Sequence, residues 1–130
     1  MKTTAEKLLI KPGTTVWTSD RANLDLIGPL PDGVSRVDRA DKAATALVWA
    51  DDAASLRGIL DKQAARLAQA GVLWVAYPKG NRADINRDTL WPILGEYGMR
   101  PISQIAVDDV WSALRFRPLA DGEPPFTGGR

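Results

Sequence analysis

The sequence contains neither cysteine nor histidine. Without cysteine there are no disulfides, no thiolate nucleophile and no zinc-thiolate site, which is compatible with a reducing compartment. Without histidine the chain lacks the usual metal ligand and the usual general base at neutral pH. An excess of charge is missing too: 17 basic side chains stand against 16 acidic ones, a net charge of +1. No broad field therefore steers the protein towards nucleic acid or anionic lipid, and neither is expected as a partner. Near the N-terminus the only apolar run is Leu8-Leu9-Ile10, too short for a signal or membrane segment. The expectation is a soluble cytoplasmic protein without a metal.

What is present begins with Gly71 to Gly80, where six apolar residues run without alternation and are closed by Pro and Gly. Such a run suits a strand covered on both faces at the centre of a parallel sheet. Thr45 to Ala50 has the same character, and Asp51-Asp52 follows it where a helix cap belongs. Between these runs, Leu56, Ile59, Leu60, Gln63, Ala64 and Leu67 share one helical stripe, with Arg57, Asp61, Lys62 and Arg66 largely off it. The spacing predicts a helix from about Ala53 to Ala70 with Gly71 as its C-cap. Strand, helix, strand in tight succession is a βαβ unit, whose crossover is right-handed.

The flanking segments follow from turn chemistry. Thr3 and Glu6 have capping-box spacing, Leu8 to Ile10 would be the apolar end of a short first helix, and Pro12-Gly13 would stop it. Thr14 to Thr18 reads as the first strand and Arg21 to about Leu26 as a short helix capped from Ser19-Asp20. Val34 to Asp38 would be a brief edge strand. A helix including Leu90, Trp91, Ile93 and Leu94 is expected to start near Asp88, so that Pro92 falls in its first turn, and to end at Gly98. Pro101 to Val107 and Val110 to Phe116 form a hairpin about Asp108-Asp109. At 130 residues the chain fits one domain, residues 1–118, with 119–130 expected to be a flexible tail rich in Pro and Gly.

This order of elements resembles the Rossmann-like fold of class I S-adenosylmethionine-dependent methyltransferases. The residues that carry the resemblance are Leu9-Ile10-Lys11-Pro12-Gly13 leading into Val16, the strands around Trp49 and Trp74, and the closing Val110-Trp111-Ser112. The same features are similar to a small bacterial family of uncharacterised domains built on that chassis. The resemblance covers roughly Ala5 to Pro118. It implies a three-layer α/β fold with a mostly parallel central sheet, strand order 2-1-3-4-6-5, ending in an antiparallel hairpin.

The chain departs from that family where the cofactor would sit. An active methyltransferase has a Gly-rich loop after its first strand, so that bare backbone and helix amides can approach the ligand. Here the loop is Thr18-Ser19-Asp20-Arg21-Ala22-Asn23, with no Gly, and Asp20 stands where it would cap the helix itself. Asp38 lies some twenty residues on, where an acid could hold a cofactor ribose, or simply face solvent. Only six residues separate Asp38 from Thr45, an extended span of roughly 20 Å, which leaves no room for a further strand and full helix. The sheet is therefore expected to be reduced on that side.

In an open parallel sheet, ligands bind beyond the C-terminal strand ends near the switch in strand order. The candidates there are Ser19, Asp20, Asn23 and Asp38, then Asp51 and Asp52, then Tyr77, Lys79, Asn81 and Arg82. Asp51 and Asp52 could hold a cation or an amine, or serve as cap and solvated neighbour. Lys79 and Arg82 could hold an anion or be a solvated loop. No Ser has a visible base partner, so catalysis by a triad has no support. Of five Trp, those at 17, 49 and 74 are expected to fill the core, while Trp91 and Trp111 could serve a surface. The reading is a non-catalytic or cofactor-degenerate small-ligand or protein-binding module. The alternatives are a methyltransferase with an atypical cofactor loop, or a dimerisation module using Trp111 or an outer strand.

Overall fold

Two largely apolar runs, Thr45–Trp49 and the centre of Val72–Pro78, are buried residue by residue because helices cover both of their faces. Alternate side chains serve opposite layers: Ala46, Val48, Leu73, Val75 and Tyr77 face one core, and Leu47, Trp49, Trp74 and Ala76 the other. The structure, a computed structural model, describes residues 3–80 and 82–127. Its elements in order are α1 (Thr4–Lys7), β1 (Thr15–Thr18), α2 (Arg21–Leu24), β2 (Ser35–Arg36), β3 (Thr45–Trp49), α3 (Ala53–Leu67), β4 (Val72–Pro78), α4 (Arg87–Gly95), β5 (Met99–Ala106) and β6 (Trp111–Pro118). Single 3-10 turns at Asp25–Ile27 and Ala40–Lys42 complete the connections.

The six strands form one sheet in the order β2-β1-β3-β4-β6-β5. β2, β1, β3 and β4 run parallel, and β6 enters antiparallel between β4 and β5. This is the order and sense expected. One core lies under α3 and α4, and the second lies under α1, α2 and the turn after α2. Trp17, Trp49 and Trp74 are 8, 5 and 2 % exposed and fill these cores. The indole N–H of Trp74 also donates to the Leu8 carbonyl at 2.9 Å, which ties the segment after α1 to the middle of the sheet.

Several local expectations are met for the reasons that suggested them. Thr3 and Glu6 form a reciprocal capping box, and Leu8 and Ile10 are buried. Asp108 supplies the turn that a Gly would otherwise make: its carboxylate accepts the amides of Val110 and Trp111 at 2.8 and 2.7 Å. The passage from β2 to β3 is short, a 3-10 turn over the buried Ala40 and Ala43, and β2 is only two residues long.

Two others, both at helix ends, are corrected. α3 ends at Leu67 with Ala68 as its cap, so Gly71 is not the C-cap. Its lack of a side chain is needed because a Cβ there would stand 2.7 Å from the Ala44 carbonyl oxygen. α4 starts at Arg87, capped by Asn86, and ends at Gly95, which puts Pro92 in its second turn. Proline is tolerated there because the helix is short and the residue whose carbonyl loses its bond, Asp88, is exposed to water. The segment after Pro118 makes specific contacts: Glu123 meets Arg100 and Arg117, and Phe126 packs edge-on against Trp91.

Candidate functional site

The crevice lies where β1 and β3, neighbours in the sheet, lead to connections that depart in opposite directions. At that point the two strand ends are laced together. The Ser19 amide donates to the Leu47 carbonyl at 2.9 Å, and the Ser19 hydroxyl oxygen accepts the Trp49 amide at 2.8 Å. Thr18 Oγ1 accepts the Trp49 indole N–H at 3.1 Å and donates to the Asp20 carbonyl at 3.0 Å. The Trp49 ring in turn meets Trp111 edge to face, with centroids 5.2 Å apart.

Asp20 closes the next position. Its carboxylate accepts the amides of Ala22 and Asn23 at 2.9 and 3.2 Å, so the start of α2 is satisfied from within. Asn23 joins the site through that backbone amide. Asp38 lies beyond β2, its carboxylate 3.5 Å from Arg21, with both side chains largely exposed. An ion pair in that setting contributes little. The space between these groups, walled by Trp17, Thr18, Arg21, Arg36, Val37 and Asp38, holds about 170 Å³. Ligand cavities for small molecules run from about 300 Å³ upwards.

The start of α3 is filled in the same way. Asp52 accepts the Ser55 amide at 2.7 Å, which lowers its pKa below the usual carboxylate range. Asp84, from the loop before α4, accepts the Ala53 amide at 2.8 Å. Asp84 was not among the sequence candidates, because nothing local announces a cap that comes from 31 residues away. Asp51 is exposed beside them. Among the described residues no group of three or more acidic side chains is gathered as for a metal ion.

The remaining candidates do not converge on this point. Tyr77 is buried towards the core under α4, its hydroxyl accepting the Gln104 amide at 2.8 Å. Burial raises its pKa, against a hydrogen bond with Ser112 that lowers it. Lys79 is held through its backbone, which donates to the Val110 carbonyl at 2.7 Å, and Arg82 is exposed. Asn81 lies outside the described residues. Trp111 is only 9 % exposed, its ring spent on Trp49, while β5 forms the outer edge of the sheet. A second, more open groove of about 310 Å³ runs between the end of β1 and α3, along Trp17, Ser19, Ile59, Lys62 and Gln63.

No family model matches the sequence, and no curated protein does. Solved structures do match. A protein of the NADB-Rossmann superfamily from Streptococcus agalactiae is 14% identical, with a TM-score of 0.57 over 98% of this chain and 71% of that one. A candidate tRNA (m1A22) methyltransferase from Streptococcus pneumoniae, in complex with S-adenosyl-L-methionine, is 11% identical, with a TM-score of 0.57 over 96% of this chain and 73% of that one. An uncharacterised protein from Listeria monocytogenes is 17% identical, with a TM-score of 0.52 over 100% of this chain and 72% of that one. Likeness at such identities is a likeness of fold. No membrane-length apolar helix is found among the described residues. The chain thus has a Rossmann-like fold of the kind found in S-adenosylmethionine-dependent methyltransferases.

Proposed function

We propose that this chain is a cofactor-degenerate relative of methyltransferase-like Rossmann domains and works as a binding module. The observation that carries the reading is the lacing of β1 to β3. A nucleoside-bearing methyl donor needs bare main chain and free helix amides at this crevice, so that its polar groups find donors as its bulk approaches. Here side chains of Thr18, Ser19, Asp20, Asp52 and Asp84 already take those donors. Admitting the donor molecule would break those bonds. The Trp49 amide and indole N–H, on a buried residue, would cost on the order of 1–3 kcal/mol each if left without a partner, whereas the bonds to the amides of Ala22, Ala53 and Ser55 are exposed and those amides can turn to water.

Titration calorimetry with S-adenosylmethionine tests this. The expected outcome is no saturable heat below about 1 mM, a free energy weaker than roughly −4 kcal/mol. Micromolar uptake, or a crystal with the donor seated above the Trp17 and Trp49 strands, would overturn the proposal.

The S-adenosylmethionine held by the Streptococcus pneumoniae neighbour favours a second reading. In it the chain is a methyltransferase with an atypical loop, in which Asp38 and Asp51 contact the cofactor. That reading requires uptake by the unaltered chain and its loss in Asp38→Ala or Asp51→Ala without loss of fold.

A further inference from the structure

Away from the crevice, a cavity of about 410 Å³ lies between α4 and the outer strand β5. Its walls include Arg87, Asp88, Trp91, Arg100, Gln104 and Phe126. The volume falls within the range of small-molecule sites. Trp91 and Phe126 stand edge to face, ring centroids 5.0 Å apart and planes at 89°. The two rings thus form a corner into which a third flat ring can pack with one stacked and one edge contact.

The segment from Leu119 to Phe126 builds one of these walls. Glu123 accepts Arg100 Nη1 at 2.8 Å, Arg117 Nη1 and Nη2 at 2.9 and 2.8 Å, and the Ala120 amide at 2.8 Å. This clasp holds the segment against the sheet edge and sets Phe126 under the Arg100 guanidinium, 5.3 Å from the ring centroid.

Charge on the cavity walls does not balance: among the described lining residues Arg87 and Arg100 stand against Asp88, and the Glu123 that pairs with Arg100 is shared with Arg117. The Arg87 side chain is exposed and makes no hydrogen bond or ion pair among the described residues. Arg100 retains a buried Nε–H with no acceptor among the described residues. Gln104 has given its amide N–H to Tyr77, and its carbonyl oxygen has no bond among the described residues.

We propose that this groove binds a small, flat aromatic acid, one ring system carrying a single carboxylate or phosphate. Arg87 pairs with the anion, and Trp91 and Phe126 flank the ring. The proposal rests on the binding-module reading and gives that module its ligand class.

The test is a titration of isotope-labelled protein with naphthoate, followed by amide and indole N–H shifts, with naphthylmethanol as the uncharged counterpart. The expected result is saturable shifts at the Trp91 indole and the amides of residues 102–104. Affinity should fall about tenfold or more in Arg87→Gln, and by a similar factor for the alcohol. The Arg87 side chain is exposed and has no partner among the described residues, so this variant is expected to keep the fold; Phe126→Ala, expected to bind several-fold more weakly, removes the second wall. Absence of saturable shifts, shifts centred on Thr18 to Asp20 instead, or equal affinity for acid, alcohol and Arg87→Gln would each overturn the proposal. Uptake of S-adenosylmethionine at the crevice would overturn the binding-module reading without moving the groove signals, so the two failures are distinguishable.

Discussion

At Glu123 four hydrogen bonds converge on one carboxylate that is itself only 17 % exposed. Arg117 first, then the Ala120 amide and Arg100, hold its pKa down from the ordinary 4.5 to about 2. Because the folded value lies below the unfolded one, the clasp is at full strength above about pH 4.5 and is lost as pH falls through about 2. Release of Phe126 from Trp91 should follow. The expected outcome is a change in tryptophan emission within this window, while Glu123→Gln gives the low-pH signal already at neutral pH and no titration there. An identical profile in the variant would count against the clasp. Little in Asp121 to Arg130 signals these contacts, because Arg100 lies 23 residues from Glu123 and Trp91 is further still. Residues such as Asp20 and Asp52 were legible as caps for the opposite reason: donor and acceptor are neighbours in the chain.

The junction between α3 and β4 shows how an element can be legible while its reason is not. A Gly after a helical stripe reads as a cap, yet Gly71 is required by β3: its amide donates to the Ala43 carbonyl at 3.2 Å, and there is no space for a methyl group beside Ala44. Gly71→Ala is therefore expected to lower stability by about 1–3 kcal/mol, read from the urea midpoint, because the obstacle is backbone and cannot rotate away. An unchanged midpoint would mean that the two strands can part at no cost. β5 was legible as an outer strand, but not its irregularity between Pro101 and Ser103, where the ladder slips. Proline has no amide to give, and an edge with a bulge is where a sheet accommodates one.

Across the whole molecule, the strands and their succession were readable from apolar runs, caps and turns, while the order 2-1-3-4-6-5 came from the resemblance to the methyltransferase-like fold, and the sheet has that order. The short passage from Asp38 to Thr45 already limited that side of the sheet, and β2 is correspondingly a two-residue strand with both residues exposed. The groove beside α4 was not readable: its walls come from α4, β5, β6 and the segment after it, and only folding assembles them. Stability should be graded in the same way. In hydrogen exchange, amides of residues 45–49 and 73–77, flanked by strands on both sides, are expected to be the slowest and those of β2 among the fastest. Equal protection across the sheet would contradict this.

The bond from the Trp49 indole to Thr18 has an optical consequence. The indole N–H is anchored on one strand while its ring leans on Trp111 from another, so its excited state senses both neighbours at once. Any guest that pries β1 away from β3 must release that anchor. Opening of the crevice would therefore change the share that Trp49 contributes to the emission of the chain's five tryptophans.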